Sequence, residues 1–244
     1  MNTKPLLLDL FSGAGGAAKG YHDAGFAVVG VDIAPQPRYP YEWYQADALA
    51  VLDTLLGGER WQSYALRDFA GIHASPECQG YSRTRFMRNA RPEEHPKLIR
   101  EVRARLVASG LPWVIENVEG SDLPDAVELC GSMFGLPIRR HRWFASSILL
   151  FAPEPCKHIP GFYNPVGGKV RGYGTLASKT TYQDAKGATR RREGYYARTV
   201  GLCALGIDWP MTLVELSQAI PPAYTHWIGQ QLFTAIMADC ERAV

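Results

Sequence analysis

Short apolar blocks along this chain alternate with stretches of helical period. Leu6-Leu7-Leu8-Asp9-Leu10-Phe11 predicts a buried strand, cut by Ser12-Gly13-Ala14-Gly15-Gly16. Ala17 to Ala24 predicts a helix, closed by Gly25, a residue suited to the turn after a helix C-terminus. Phe26 to Asp32 is the next strand and ends in an acid. A third strand candidate ends near Ala46-Asp47, and a fourth, Gly71-Ile72-His73-Ala74, runs into Cys78. Leu98, Ile99, Val102, Leu106 and Val107 share one face of a helix of about four turns. It stops at Ser109-Gly110, and Trp113-Val114-Ile115 makes another short strand leading to Glu116-Asn117. Strands and helices in this alternation predict an α/β fold, a doubly wound, mostly parallel sheet covered on both faces.

From about Phe151 to Tyr196 the texture changes to Gly, Pro, Tyr, Thr, Lys and Arg without helical period, which predicts an irregular or β-rich insert. Helical patterning returns near Leu213 to Leu216, stops at Pro221-Pro222 and resumes from Tyr224 to Ala243. Trp227, Ile228, Leu232, Ile236 and Met237 form the apolar face of that last helix. The organisation expected is a main unit over 1–150, a small insert over 151–199, and a segment over 200–244 that completes the main unit. No internal repeat is visible, and 244 residues suffice for a full core.

Hydrophobic content of 46% with 20% charged residues is that of an ordinary globular protein. The N-terminal apolar run is broken too soon for a signal peptide, and no run approaches the ~18–20 residues of a membrane helix. Five cysteines without a C-x-x-C pair argue for a reducing, cytoplasmic setting, no disulfide framework and no cysteine zinc site. A net charge of +2 conceals an asymmetry. Between Lys157 and Arg198 nine basic residues face only Asp184 and Glu193. Such a stretch suits a polyanion, or equally a solvated loop.

The glycine turn Phe11-Ser12-Gly13-Ala14-Gly15-Gly16 allows close approach of backbone to a ligand, at a helix N-terminus that favours anions. It is not G-x-G-x-x-G, which weakens a dinucleotide reading. Asp32 at a strand end suits two ribose hydroxyls, and Asp47 suits an adenine amino group. A tight structural turn with two surface acids would account for the same residues. Ser75-Pro76-Glu77-Cys78-Gln79 places a thiol on a turn after a strand, the edge where α/β sheets present reactive groups. Arg83, Arg85 and Arg88 follow, and nearby cations can hold a thiol partly as thiolate. A lone cysteine is otherwise most often a small buried hydrophobe.

Five blocks occur in a telling order: Asp9 to Gly16, Pro76-Glu77-Cys78-Gln79-Gly80-Tyr81-Ser82, Glu116-Asn117-Val118, Arg140-His141-Arg142-Trp143-Phe144, and Gln218-Ala219-Ile220-Pro221-Pro222. Together they resemble the signature blocks of the cytosine-5 DNA methyltransferases, with the basic insert at the place of that family's target-recognition region. The resemblance implies a class I methyltransferase (Rossmann-like) fold and S-adenosylmethionine as methyl donor. It also implies duplex DNA as partner, with the target cytosine flipped out, and neither a membrane nor a protein partner. It gives Cys78 as the nucleophile for cytosine C6 and Glu116 as the acid at N3. Arg142, and more peripherally Arg140, would contact the pyrimidine and order the thiol. Phe11, Ser12, Gly13, Ala14, Gly15, Gly16, Asp32, Ile33 and Asp47 would bind the donor, and no metal is implied. Arg83, Arg85, Arg88 and Arg91 would lie on the family's mobile loop and touch phosphates.

Departures from the pattern bear on activity. Glu77 stands where the family usually has proline, and an acid beside a thiol disfavours thiolate unless it points away. A catalytically silent or altered-donor DNA-binding relative is therefore the alternative reading. Ile138 replaces the usual glutamine ahead of the arginines, and Gln218-Ala219-Ile220 replaces the usual Gly-Asn-Ala/Val. A tRNA cytosine methyltransferase would share the chemistry, but the Cys-Phe-Thr typical of that branch is missing.

Overall fold

Residues 4–78, 97–158, 181–183, 189–191 and 194–242 are described by a computed structural model. Its elements are β1 (Leu6–Leu10), α1 (Gly16–Asp23), β2 (Ala27–Asp32), β3 (Glu42–Gln45), α2 (Ala48–Leu56), β4 (Phe69–Ala74), α3 (Ile99–Ser109) and β5 (Trp113–Asn117). There follow β6 (Val127–Leu129), β7 (Arg142–Ser146), β8 (Thr181–Gln183), β9 (Thr189–Arg191), α4 (Gly194–Leu205), α5 (Leu213–Gln218) and α6 (Pro222–Arg242). Seven strands form one sheet in the order β3-β2-β1-β4-β5-β7-β6, and β8 pairs with β9 separately. The pairs β1–β2, β2–β3, β1–β4 and β4–β5 are parallel, whereas β7 runs antiparallel to both β5 and β6. Strand order reverses between β1 and β4, and ligands of such sheets bind at the carboxyl edge of that switch point. Both the glycine turn after β1 and the cysteine turn after β4 leave from there.

Side chains that alternate along the strands feed two cores, as a sheet covered on both faces requires. Leu8, Leu10, Val29, Val31, Ile72, Ala74 and Ile115 pack with Val51, Leu52 and Leu55 of α2 and Val102 and Leu106 of α3. On the other face Leu7, Val28 and Val114 meet Ala17, Ala18 and Tyr21 of α1 and Tyr224, Ile228, Leu232 and Ile236 of α6. A third cluster joins Ala14 of the glycine turn to Ile138, Ala204, Leu205, Met211, Leu216 and Ala219. The doubly wound α/β sheet expected from the sequence is present.

Several expectations shift in detail. Helix α2 went unforeseen, although Asp47 and the spacing of Ala48, Val51, Leu52 and Leu55 announce it: the Asp47 carboxylate accepts from Leu49 N and Ala50 N as an N-cap. Val107 does not join the buried face of α3 but is 61% exposed, and Met237 on α6 is likewise exposed. Pro222 opens α6 instead of breaking it, at the first helical position, where the missing N–H costs nothing. Helix α4 begins inside the stretch expected to be irregular. Arg83, Arg85, Arg88 and Arg91, and Gln79 to Ser82 of the cysteine block, lie outside the described residues. So do Lys169, Arg171, Lys179, Lys186 and Arg192 of the basic stretch. Among the described residues no helix is long and apolar enough to cross a membrane.

Helices α1 and α6 approach closely because Gly20 and Gly229 lack a Cβ. A Cβ on Gly20 would collide with the Pro222 carbonyl and the Thr225 hydroxyl, and one on Gly229 would lie 2.7 Å from Ala24 Cβ. Across the contact Thr225 Oγ1 donates to Ala17 O at 2.8 Å. Gly20→Ala gains about 1 kcal/mol of helix propensity but overpacks backbone at a cost of roughly 1–3 kcal/mol. Contact with backbone this close puts the cost at the upper end, so denaturant titration is expected to show a net loss of about 2 kcal/mol; unchanged or higher stability would mean that the helices can separate without cost.

Candidate active site

The Cys78 turn is pinned to the neighbouring strands by main chain and by one amide. Ser75 N donates to Leu10 O at 3.1 Å, and Asn117 Nδ2, at the end of β5, donates to Pro76 O at 2.8 Å. Glu116, one residue earlier on β5, is 6% exposed. Its Oε1 takes Arg142 Nε at 2.8 Å. Arg142 arrives because β7 pairs antiparallel with β5, matching Glu116 with Phe144 and Asn117 with Trp143. Cys78, Glu116, Arg140 and Arg142, expected together from the sequence, form one electrostatic cluster.

Arg140 differs from expectation. It is not peripheral but 3% exposed, deeper than Arg142. Its Nη2 donates to Ser217 O at 2.8 Å, and its own carbonyl accepts from Tyr224 Oη at 2.6 Å. Its Nε has no partner. Burial, then the neighbouring Arg142 charge, lowers its pKa to about 9. The substituted closing block still links the two halves of the chain, because the links are main-chain atoms: Ser217 O for Arg140, and the Ile220 backbone packed on Gly16. Ile138, at the usual glutamine position, is fully buried against Gly131.

Burial raises the Glu116 pKa above the usual carboxylate range, and the pull of Arg142, Arg140 and the Ser75 hydroxyl does not reverse it. The Cys78 thiol is raised too, first by burial and then by the Glu116 charge, against the lowering effect of Arg142 and Arg140. Arg142 and Arg140 thus do not bring the thiol below its ordinary value, and Arg83, Arg85 and Arg88, the cations expected from the sequence to act on it, lie outside the described residues. The acid whose charge raises it is Glu116; the side chain of its neighbour Glu77 is exposed. The two titrations are coupled: a proton on Glu116 removes the charge that opposes thiolate and leaves both arginines in place.

Behind Glu116 lies a polar chain that sequence reasoning missed. Tyr21 Oη lies 3.0 Å from His73 Nδ1, His73 Nε2 lies 2.7 Å from Ser75 Oγ, and Ser75 hydrogen-bonds Glu116. If Ser75 donates to the carboxylate, it accepts from His73 Nε2–H, and Nδ1 then accepts from Tyr21. Burial lowers the His73 pKa to about 3, so the ring is neutral and suits this one-way chain. A histidine and a serine alternating along the strand that leads to the cysteine were the available signal.

The glycine turn divides its labour. Gly13, at φ +51°, faces open space, and its N–H donates to Asp32 Oδ2 at 2.8 Å. Gly15 and Gly16 are glycine for packing, since a Cβ would strike Pro40 in one case and the Ile220 backbone in the other. Ala14 is buried and its carbonyl accepts from Trp209 Nε1 at 3.1 Å. Phe11 holds φ +58°, a strained conformation for a bulky residue and one often found at functional turns. Asp32 is locked by a second bond, from Ala34 N at 2.9 Å, and Ile33 beside it is 67% exposed. Buried Asp9 Oδ1 and Ser12 Oγ have no partner among the described residues. Burial raises the Asp9 pKa to about 7 although Tyr39 Oη donates to its other oxygen.

No protein-family model matches the chain, and no curated protein sequence does. Solved structures do match. A protein assigned as a DNA modification methyltransferase, encoded within an E. coli prophage, superposes at TM-score 0.58 with 14% identity, over 94% of this chain and 99% of that one. This is a Rossmann-like fold of class I methyltransferase type. Entamoeba histolytica EhMeth covers 96% of this chain and 99% of its own at TM-score 0.47 and 12% identity. A variant of Spodoptera frugiperda DNMT2 covers 58% and 49% at TM-score 0.38 and 17% identity.

Because Glu116 raises the thiol, Glu116→Gln should lower the Cys78 pKa, and Arg142→Ala should raise it. Iodoacetamide labelling of Cys78, followed by peptide mass spectrometry at pH 8, should speed up by up to roughly tenfold in Glu116→Gln and slow down in Arg142→Ala. In the wild type the rate should still be rising above pH 9. Equal rates in the three proteins would separate the thiol from this cluster.

Proposed function

We propose that this protein is a DNA cytosine-5 methyltransferase that acts through a covalent adduct between Cys78 and C6 of a flipped-out cytosine. The observation that carries the reading is the cluster of one thiol, one buried carboxyl of raised pKa, the buried Arg140 and the half-buried Arg142 at the switch point of a methyltransferase-type sheet. The prophage neighbour is assigned to DNA modification, which agrees with a DNA substrate.

Cytosine C5 is a poor nucleophile, and adding a thiolate to C6 makes it carbanion-like. Cys78, having lost its thiol proton to solvent, forms that bond, and the electron pair of the C5–C6 double bond moves toward C5 and N3. Glu116 holds its proton nearer neutral pH because it is buried, so it can protonate or hydrogen-bond N3 and hold the exocyclic amino group. While Glu116 holds that proton its charge does not oppose the thiolate, and the proton passes to N3 as the attack on C6 builds negative charge there. Arg142 orients Glu116 through Oε1, and Arg140 adds positive charge in a water-poor setting where it counts most. After C5 is alkylated, loss of the C5 proton drives out Cys78 and restores the ring. A base stacked in a duplex cannot reach a half-buried thiol, so the cytosine must be flipped out.

S-adenosylmethionine fits the glycine-turn edge and would supply an electrophilic methyl group. Asp32 would hold the ribose, Ile33 would cover the adenine face, and Asp47, with one oxygen committed to its helix cap, would accept from the adenine amine. The buried and unpartnered Asp9 Oδ1 and Ser12 Oγ match the polar amino-acid end of such a donor. Gly13 would leave room for close approach, with Phe11, Ala14, Gly15 and Gly16 shaping the turn. A cytoplasmic location fits both the donor and the DNA substrate.

The alternative of a silent or altered-donor relative rests on Glu77, whose side chain is exposed, whereas the thiol is raised by Glu116. Nucleoside mass spectrometry of DNA from cells expressing the protein should show 5-methylcytosine, and Cys78→Ala should abolish it while DNA binding persists. A different cytosine adduct would favour a changed donor. DNA without any modified base would favour the silent relative.

A further inference from the structure

A second cluster of reactive side chains lies where β6 and β7 meet the chain entering the basic stretch. Cys130 follows β6, His141 precedes β7, and Cys156 and His158 follow the sheet's last strand. One donor atom from each lies within 4.8 Å of the other three. Cys130 Sγ is 3.3 Å from His158 Nε2, His141 Nε2 is 3.1 Å from His158 Nε2, and Cys156 Sγ is 3.8 Å from His141 Nε2. Tetrahedral zinc with Zn–S of about 2.3 Å and Zn–N of about 2.05 Å sets its donors roughly 3.4 Å (N···N) to 3.8 Å (S···S) apart. The cluster therefore has nearly the spacing of a tetrahedral donor set.

We propose that Cys130, His141, Cys156 and His158 bind one zinc ion as a structural staple. Four protein donors leave no open position for substrate, which separates a structural site from a catalytic one. Two thiolates and two imidazoles select zinc over harder cations and neutralise its charge. The setting supplies outer partners of the usual kind. His141 Nδ1 lies 3.7 Å from Glu119 Oε2, placed to orient the ring, and Ser132 Oγ donates to Cys130 Sγ at 3.6 Å. Glu119, Glu128 and His141 form a competing donor set, but Glu128 Oε2 already accepts from Trp143 Nε1 at 3.1 Å. The spacing Cys130, His141, Cys156, His158 contains no C-x-x-C, which is why the cysteine pattern predicted no zinc site. The ion would tie the first residues of the basic stretch to the segment that carries Arg140 and Arg142 on either side of His141.

Metal analysis of the reduced, purified full chain tests the staple. About one zinc per chain is expected. Cys156→Ser and His158→Gln, at positions exposed enough to spare the core, should bring it near zero, whereas Cys203→Ser on the exposed part of α4 should keep it. Cobalt offered to chelator-treated protein should give the visible bands of tetrahedral, thiolate-bound cobalt in wild type and lose them in Cys156→Ser. Chelation should lower the Tm of the wild type and leave that of Cys156→Ser unchanged. A wild-type chain that stays metal-free when zinc is supplied, or variants that keep their full zinc content, would overturn the proposal. A Cys130–Cys156 disulfide in protein prepared with zinc supplied and never chelated would also overturn it.

Discussion

A carboxyl and two guanidiniums held out of water at one edge of the sheet are the constraint around which this structure is arranged. Burying such charges costs several kcal/mol per group unless partners are placed with care. The placement is visible. Arg142 meets Glu116 at 2.8 Å because β7 turns back antiparallel beside β5. Arg140 is capped at its head by Ser217 O and at its carbonyl by Tyr224. Those two residues belong to α5 and α6, nearly the last elements of the chain. The C-terminal helices thus complete the charge cluster as well as one face of the sheet, and the glycines of α1 and α6 let them come close enough to do so.

The same burial also sets the proton balance of the site. Glu116 and Cys78 are both pushed toward their neutral forms, each by desolvation first. A pyrimidine that takes a proton at N3 would shift the balance in favour of thiolate through the charges already present. The neutral His73, between Tyr21 and Ser75, extends this arrangement inward without adding a charge to it.

Much of this was legible in the sequence. The alternation of apolar blocks gave the sheet, and Cys78, Glu116 and Arg142, distant in sequence, come together at its edge. Legibility failed where tertiary packing decides. Gly15 and Gly16 look like ligand-approach glycines but serve contacts with Pro40 and Ile220, residues distant along the chain. Arg140 looked peripheral because nothing local reveals that Ser217 and Tyr224 enclose it. Cys130, His141, Cys156 and His158 converge only because β6 and β7 pair, a non-local event that no motif spacing records. Helix α2 is the opposite case, announced by Asp47 and its apolar spacing yet masked by the interest of Asp47 as a binding acid.

The central claim is that Cys78 attacks cytosine C6 inside this cluster, and covalent trapping tests it most directly. A duplex with 5-fluorocytosine at target positions should be incubated with the protein and S-adenosylmethionine, because fluorine at C5 leaves no proton to lose and the enzyme cannot be expelled. The account predicts a stable protein–DNA adduct, mapped by peptide mass spectrometry to Cys78, dependent on the methyl donor and absent in Cys78→Ala. An adduct on another cysteine, or none with a duplex that the protein demonstrably binds and that contains its target, would contradict it.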